Sequence, residues 1–519
     1  MSGVRAAVLS DRTGHDSELH LLPRRAYGRF ACGENWLNIV ASQHEIIVAG
    51  AGVAGLTAAA YLAAAGRDVL VLDKNRRVGG YAATFKKNGH HFDIATQALG
   101  GLGPDGEIMN ILDDLGIADR VQALPCEPAR VYHFPGMDAP YVQHGSWKKQ
   151  RDELAARFPD HADAVAAAFD TLRAIFEELL ALSNDSSHAR FSFVRRCPTL
   201  AARHDQTLQA FMDELGFPPE LARLFAARAG YQLLAADEIS LVGFACNEMT
   251  FGNGAYMIRG GVARLVDALV RCIESSGGTI LRGRGVREVQ AAGDSFTVRT
   301  DYKTHYADAL VWAASIAQLE RACHGSSMLP ETFWNRISSL RMSGSYYILY
   351  CSAPANVVDE LHRRGAVFPN MEYVDSDGRP WYLLIPSLVD REMARADSHC
   401  VCLSVPLAPG RRPDRTNCRE LHSRLLDALA SAVPELAGQL DPLFSLTPSS
   451  LEAMTGNPGG SAYGWTQIPA QSGFRRLSTT TPKRGLYLAG HWSMPGGGLA
   501  AAMISGRLCV HTILKDSRP

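Results

Sequence analysis

The stretch His44–Asp73, HEIIVAGAGVAGLTAAAYLAAAGRDVLVLD, most constrains what this chain can fold into. It opens on the apolar run Ile46-Ile47-Val48-Ala49, followed by Gly50-Ala51-Gly52-Val53-Ala54-Gly55. Leu56 to Ala65 is rich in strong helix formers, and Gly66 stands where a glycine ends a helix. A second run, Val69-Leu70-Val71-Leu72, stops at Asp73. The order predicts strand, turn, helix and strand, carrying G-x-G-x-x-G and an acid about 20 residues on.

Each residue type has a task in that pattern. Gly50 makes the tight turn. Gly52 leaves the backbone bare for a pyrophosphate, and Gly55 lets the helix pack closely on the strand. The helix N-terminus offers free N–H groups and partial positive charge to phosphates. Asp73 is placed to accept hydrogen bonds from a ribose diol. The competing reading is a glycine turn in an α/β unit that binds nothing.

At 519 residues the chain exceeds one ordinary core, and about three domains are expected. Net charge is −1, which gives no argument for nucleic acid or another polyanion. No apolar run approaches the ~18 residues that span a bilayer. The first 42 residues lack the apolar core of a secretory signal, and Arg24-Arg25 is a twin arginine without the stretch that should follow it. Eleven cysteines, an odd and scattered set, suit a reducing cytoplasm. Cys400 and Cys402 alternate within an apolar run, so both should pack on one face of a strand.

Residues 1–43 read as an irregular extension, and 44–130 as the first part of a nucleotide-binding domain. That part continues through Lys74, the pair Gly79-Gly80 and Tyr81, a hairpin over Phe85–Ile94 and a helix over Glu107–Leu115. Residues 131–248 read as an inserted, largely helical substrate domain that opens with short strands. Lys148–Ser183 there carries an apolar stripe of Leu172, Ile175, Phe176, Leu179 and Leu180 at helical spacing. Further helices are expected over Leu208–Leu215 and Pro219–Ala229. Residues 249–322 return to the nucleotide-binding sheet, with a helix over Val262–Ser275 and strands ending at Ala309–Ala314. Residues 323–480 should hold an antiparallel sheet, with strands at Met342–Tyr350, Trp381–Ile385 and Val401–Val405. Residues 481–519 close the first domain: a strand at Gly485–Gly490, a glycine turn and a final helix over Leu499–Ile513. The fold class is α/β, Rossmann-like and split in sequence.

Three separated pieces carry a resemblance: the fingerprint with Gly79-Gly80, the Arg259-Gly260-Gly261 helix start, and Leu486-Tyr487-Leu488-Ala489-Gly490 with Pro495-Gly496-Gly497-Gly498. Together they resemble the FAD-dependent amine oxidase and phytoene desaturase superfamily. The stretch Gly456-Asn457-Pro458-Gly459-Gly460, Tyr463-Gly464-Trp465 and Gln471–Arg476 makes the chain look most like its phytoene desaturase, carotenoid isomerase and retinol saturase branch. The similarity spans about 44–515. It implies FAD, with Gly50, Gly52, Val53, Ala54 and Gly55 at the pyrophosphate and Asp73 and Lys74 at the adenosine ribose. Gly80 and Tyr81 would line the second loop, and Val286 would meet the adenine. Gly490 and His491 would sit by the ribityl chain, and Gly498 and Leu499 at the isoalloxazine. Two departures stand out: Tyr81 replaces a frequent arginine, and His491 a frequent acid.

A flavin carries hydride transfer itself, so no catalytic triad is required. His491, Tyr463 and Trp465 are the residues expected nearest the ring. His491 is read either as an acid–base group or as a hydrogen-bond partner of the cofactor, and Tyr463 and Trp465 as tunnel wall or catalysts. His90-His91 in the hairpin is read as structural, and no metal is expected. The resemblance implies a long conjugated polyene that is desaturated, isomerised, or reduced and cyclised. The last would resemble redox cyclases of polyene tetramate macrolactam biosynthesis, with NADPH as reductant. The cysteine usage points to the cytoplasm, and the resemblance to a desaturase of membrane-borne phytoene allows peripheral membrane contact, although no obvious membrane-insertion patch is seen. An amine oxidase or a flavin binder without turnover remains the reading of another class.

Overall fold

The computed structural model describes residues 42–94, 98–184, 193–325, 327–375 and 378–516. The extension up to residue 41, including Arg24-Arg25, lies outside the described residues.

Seven strands form the first sheet. Five run parallel, in the order Leu486–Leu488, Thr304–Trp312, Ser42–Ala49, Val69–Asp73 and Thr279–Arg282. Ser295–Thr300 and Val286–Ala292 extend it antiparallel beside the first half of Thr304–Trp312. Where they cross the core, at Ile46–Ala49, Val69–Leu72 and Leu310–Trp312, the central strands are apolar at every position because both faces are covered. Ile46, Val48, Val69 and Val71 enter one core with helices Val53–Ala64, Ala263–Ser275 and Leu499–Asp516. Ile47, Ala49, Leu70 and Leu72 enter another, with Trp312, Ile316 and Phe333.

The second sheet runs Asp441–Leu446, Ser345–Pro354, Ser398–Leu407, Pro380–Leu384, Asn370–Val374, Arg130–His133 and Tyr141–Gln143. The antiparallel expectation needs one correction: Asn370–Val374 and Arg130–His133 pair in parallel. The short strands after residue 130 therefore belong to this sheet, joined to it across more than 200 residues of chain. Cys400 and Cys402 do share a face, packed among Phe92, Tyr350 and Leu384.

The region expected to be mainly helical over Lys148–Ser183 is two helices, Trp147–Arg157 and Ala162–Asn184. Pro159 falls between them; it lacks an N–H and clashes with the preceding turn. A separate core of this block gathers Phe169, Leu172, Ile175, Phe225 and Phe244. Among the described residues no helix is long and apolar enough to cross a membrane.

The last helix locks the first. A Cβ at Gly506 would lie 2.4 Å from the Ala54 carbonyl oxygen and 3.1 Å from the Ala58 nitrogen. Alanine is the better helix former by about 1 kcal/mol, yet Gly506→Ala is expected to destabilise the fold by about 1–3 kcal/mol through overpacking, read by chemical denaturation. At the first strand, His305 is buried and its Nδ1 lies 2.7 Å from Ser42 Oγ. Burial, then Lys303 and His44, pull it from 6.5 down to about 4. A base depressed by folding contributes stability that is complete above pH 6.5 and is lost as pH falls towards 4. His305→Gln should flatten that acid limb in urea melts taken from pH 7 to pH 4.

Candidate active site

The C-terminal ends of four parallel strands, at Ala49, Leu72, Trp312 and Ala489, meet on one cavity of about 360 Å³. That is where open parallel sheets place ligands. Three fingerprint glycines act there for three different reasons. Gly50 has φ +109°, and a Cβ on it would lie 2.8 Å from the Ala313 carbonyl carbon. Gly52 has an ordinary φ of −71° and nothing within 4 Å of its absent Cβ, so bare backbone faces the cavity. Gly55 does not line the cavity. A Cβ there would sit 1.9 Å from the Gly50 carbonyl oxygen, so its place in the expected pyrophosphate set is corrected to one of packing beneath the turn. Val53 and Ala54 do line the wall.

The second glycine loop docks on the first. The Gly79 N–H donates to the Ala51 carbonyl at 2.7 Å, and Gly80, with φ +62°, approaches the Gly52 Cα. Asp73 reaches back across the turn. Its Oδ2 accepts from the Ala51 N–H and its Oδ1 from the Asn75 N–H, both at 2.7 Å. Burial pushes this carboxyl up and those two N–H groups pull it down. Lys74 lines the same end, but its Nζ donates to the Ala453 carbonyl. Tyr81 resolves the missing arginine: its hydroxyl donates toward the carbonyls of Gly460 and Ser461, at 3.1 and 2.9 Å. It ties the loop to the 456–461 turn instead of presenting a charge. Val286 lies on the wall beside Gly285.

These residues fit an anionic dinucleotide. Helix Val53–Ala64 starts on Gly52 with no side-chain cap and no acid in its first turn, so among the described residues its leading N–H groups face the cavity unanswered. Two further buried atoms on the wall residues, Ser315 Oγ and Trp492 Nε1, have no hydrogen-bond partner among the described residues.

At the other end of the cavity stand Gly490, His491, Gly498 and Leu499, the start of the last helix. Burial, and then the charge of Arg476, hold His491 down at about 3. It is a neutral imidazole at physiological pH, which favours the hydrogen-bond reading over the acid–base one. Tyr463 lines the cavity, and burial lifts its phenol well above 10, so it stays protonated. The placement of Trp465 is a correction. Its indole N–H donates to the Trp492 carbonyl at 3.1 Å and its ring packs in the core behind the wall, so it neither lines the cavity nor reaches a ligand there.

The helical block completes the site. The stripe on Ala162–Asn184 divides: Leu172 and Ile175 fill the block's core, whereas Phe176, Leu179 and Leu180 face the cavity. Phe191 and the side chain of Phe193 lie outside the described residues. Helix Leu241–Phe251 adds Cys246, Asn247 and Thr250, and the last helix adds Ile504 and Leu508. A smaller cavity of about 60 Å³ adjoins at Tyr231, Tyr346 and Tyr463. Sequence reasoning missed Gln232, Cys246 and Asn247, which form no motif. A signal for them existed in the buried polar residues Asn247 and Glu248 inside an otherwise apolar helix. A Ser387–His399–Asp359 chain of contacts at 2.8 and 3.0 Å resembles a hydrolase triad. Ser387 and His399 are fully buried and line neither cavity, so it serves the fold.

The family model described as flavin containing amine oxidoreductase matches residues 53–514. A carotenoid 3,4-desaturase of Haloarcula japonica is 24% identical over 511 residues, covering 92% of this chain and 99% of that protein. The chloroplastic prolycopene isomerase of Arabidopsis thaliana is 22% identical, covering 92% and 83%. Among solved structures, putrescine oxidase bound to putrescine superposes with a TM-score of 0.62 at 15% identity, covering 91% and 99%, which shows a common fold. With the fingerprint, the split sheet and the bare helix N-terminus in place, the chain belongs to the flavin containing amine oxidoreductase family and is an FAD-dependent oxidoreductase.

Proposed function

We propose that this enzyme transfers hydride between FAD and a carbon of a long conjugated polyene. One observation carries the reading: the apolar side chains Phe176, Leu179, Leu180, Ile504 and Leu508 lie on the same cavity as the dinucleotide turn. A flat, extended hydrocarbon buries its surface there at about 25 cal/mol per Å², with no charge to satisfy. The names of the desaturase and isomerase relatives agree with a carotenoid-type substrate. Bound FAD supplies the hydride chemistry. The protein's own part is to hold the cofactor on Gly50, Gly52, Val53, Ala54 and the start of the last helix, to keep water out, and to keep Tyr463 and His491 uncharged beside the substrate. An amine oxidase would usually hold a lysine near the flavin; among the described wall residues the one lysine, Lys74, is bonded to Ala453 at the adenosine end, which disfavours an amine substrate.

The test is spectroscopic. Purified protein should carry flavin absorbance, and anaerobic addition of a carotene in liposomes should bleach it if the enzyme desaturates. Bleaching by NADPH, with recovery on adding a polyene, identifies a reductive enzyme of the cyclase type instead. Bleaching by amines and by no polyene overturns the proposal. Tyr81→Phe removes the hydroxyl that ties the two loops and should cost about 1 kcal/mol of stability, with weaker FAD retention on gel filtration.

A further inference from the structure

Arg476 is 2% exposed and has no carboxylate partner among the described residues. Its guanidinium is held by carbonyl oxygens alone. Nε donates to Ser493 at 3.2 Å, and Nη2 donates to Tyr463, Trp465 and His491 at 3.3, 3.1 and 2.6 Å. Nη1 is buried and has no partner among the described residues. A buried charge without a counter-charge is costly, and burial accordingly brings this arginine down to about 9. The other two deeply buried arginines differ: Arg130 pairs with Glu372 at 2.8 Å and Arg228 with Glu248 at 3.1 Å.

Its position gives the missing anion a place. Tyr463 and His491, whose carbonyls it grips, both line the cavity, as do Pro495 and Gly497 beside it. A Cβ at Gly496 would lie 3.4 Å from its Cζ and 2.2 Å from Gln467 Nε2, so Arg476 and Gln467 stand together directly behind the turn that leads into the last helix. We propose that Arg476 is a positioning residue that also supplies the fixed positive charge favouring electron density on the flavin ring, and so raises the reduction potential of the bound FAD. Low polarity strengthens that field, and the fork's bonds to two lining loops keep it in place. The inference rests on the reading that the ring lies at Gly498 and Leu499.

The experiment measures FAD content and midpoint potential by anaerobic dye titration for three variants. Arg476→Gln removes the charge and should lower the potential, while Arg476→Lys keeps the charge and should stay close to the wild type. Gln467→Glu keeps every arginine bond but sets a carboxylate on the same side of the Gly496 turn as the guanidinium; it should raise the melting temperature and lower the potential. If Arg476→Gln fails to fold, the Gln467→Glu and Arg476→Lys pair decides alone. A potential unchanged in Gln467→Glu and in any folded Arg476→Gln overturns the inference and leaves Arg476 a purely structural clip. Absence of FAD from the wild-type protein would instead overturn the reading on which it rests.

Discussion

Everything in the site hangs on one close approach of backbone to backbone. With no Cβ on Gly55, the Gly50 carbonyl can rest against the helix, where a methyl group would stand only 1.9 Å away. That contact sets the angle at which the helix leaves the sheet, and hence where its unanswered N–H groups point. The rest of the molecule reinforces the same point. Gly79 bonds to Ala51, Asp73 bonds to the Ala51 N–H, and Gly506 lets the last helix lie against Ala54. Three distant segments thus converge on one turn, and each does so through backbone atoms or a short side chain.

The cavity is built from halves with opposite chemistry. The sheet end offers N–H groups, a carboxylate and glycine backbone, as a phosphate and a ribose require. The helical end offers aromatic and aliphatic side chains, whose polar neighbours are neutral or tied to backbone. His491 and Tyr463 sit where the halves meet, both held uncharged by burial. Arg476 stands behind them with its charge unbalanced. A site of this kind keeps water out and leaves one field, set by the protein, at the junction; low dielectric makes such a field count.

Much of this was legible in the chain. The fingerprint, the second glycine pair, the return at Arg259 and the glycine-rich tail identified a split nucleotide-binding domain, because G-x-G-x-x-G and its flanking strands are local in sequence. Local patterns could not show that Trp465 turns into the core, or that Tyr81 bonds to Gly460 and Ser461 nearly 380 residues away. Nor could helical spacing say which part of the stripe on Ala162–Asn184 fills a core and which faces a cavity, since both need apolar residues. The strands Asn370–Val374 and Asp441–Leu446 escaped notice for a similar reason. Each is short: Asp441–Leu446 pairs with the distant Ser345–Pro354, and Asn370–Val374 joins its neighbour Pro380–Leu384 to the distant Arg130–His133.

By itself, then, the sequence determined the cofactor class and the order of elements around the dinucleotide turn, because glycines demanded by close contact and apolar runs demanded by buried strands leave marks in neighbouring residues. Only the tertiary structure decided which polar groups remain without partners. Whether Arg476, Ser315 or Trp492 is satisfied depends on what the fold brings within about 3 Å, and the nearest atoms come from segments the sequence does not connect. The site's adenosine end was therefore readable from one stretch of chain, while its charge balance belongs to the packing of the whole.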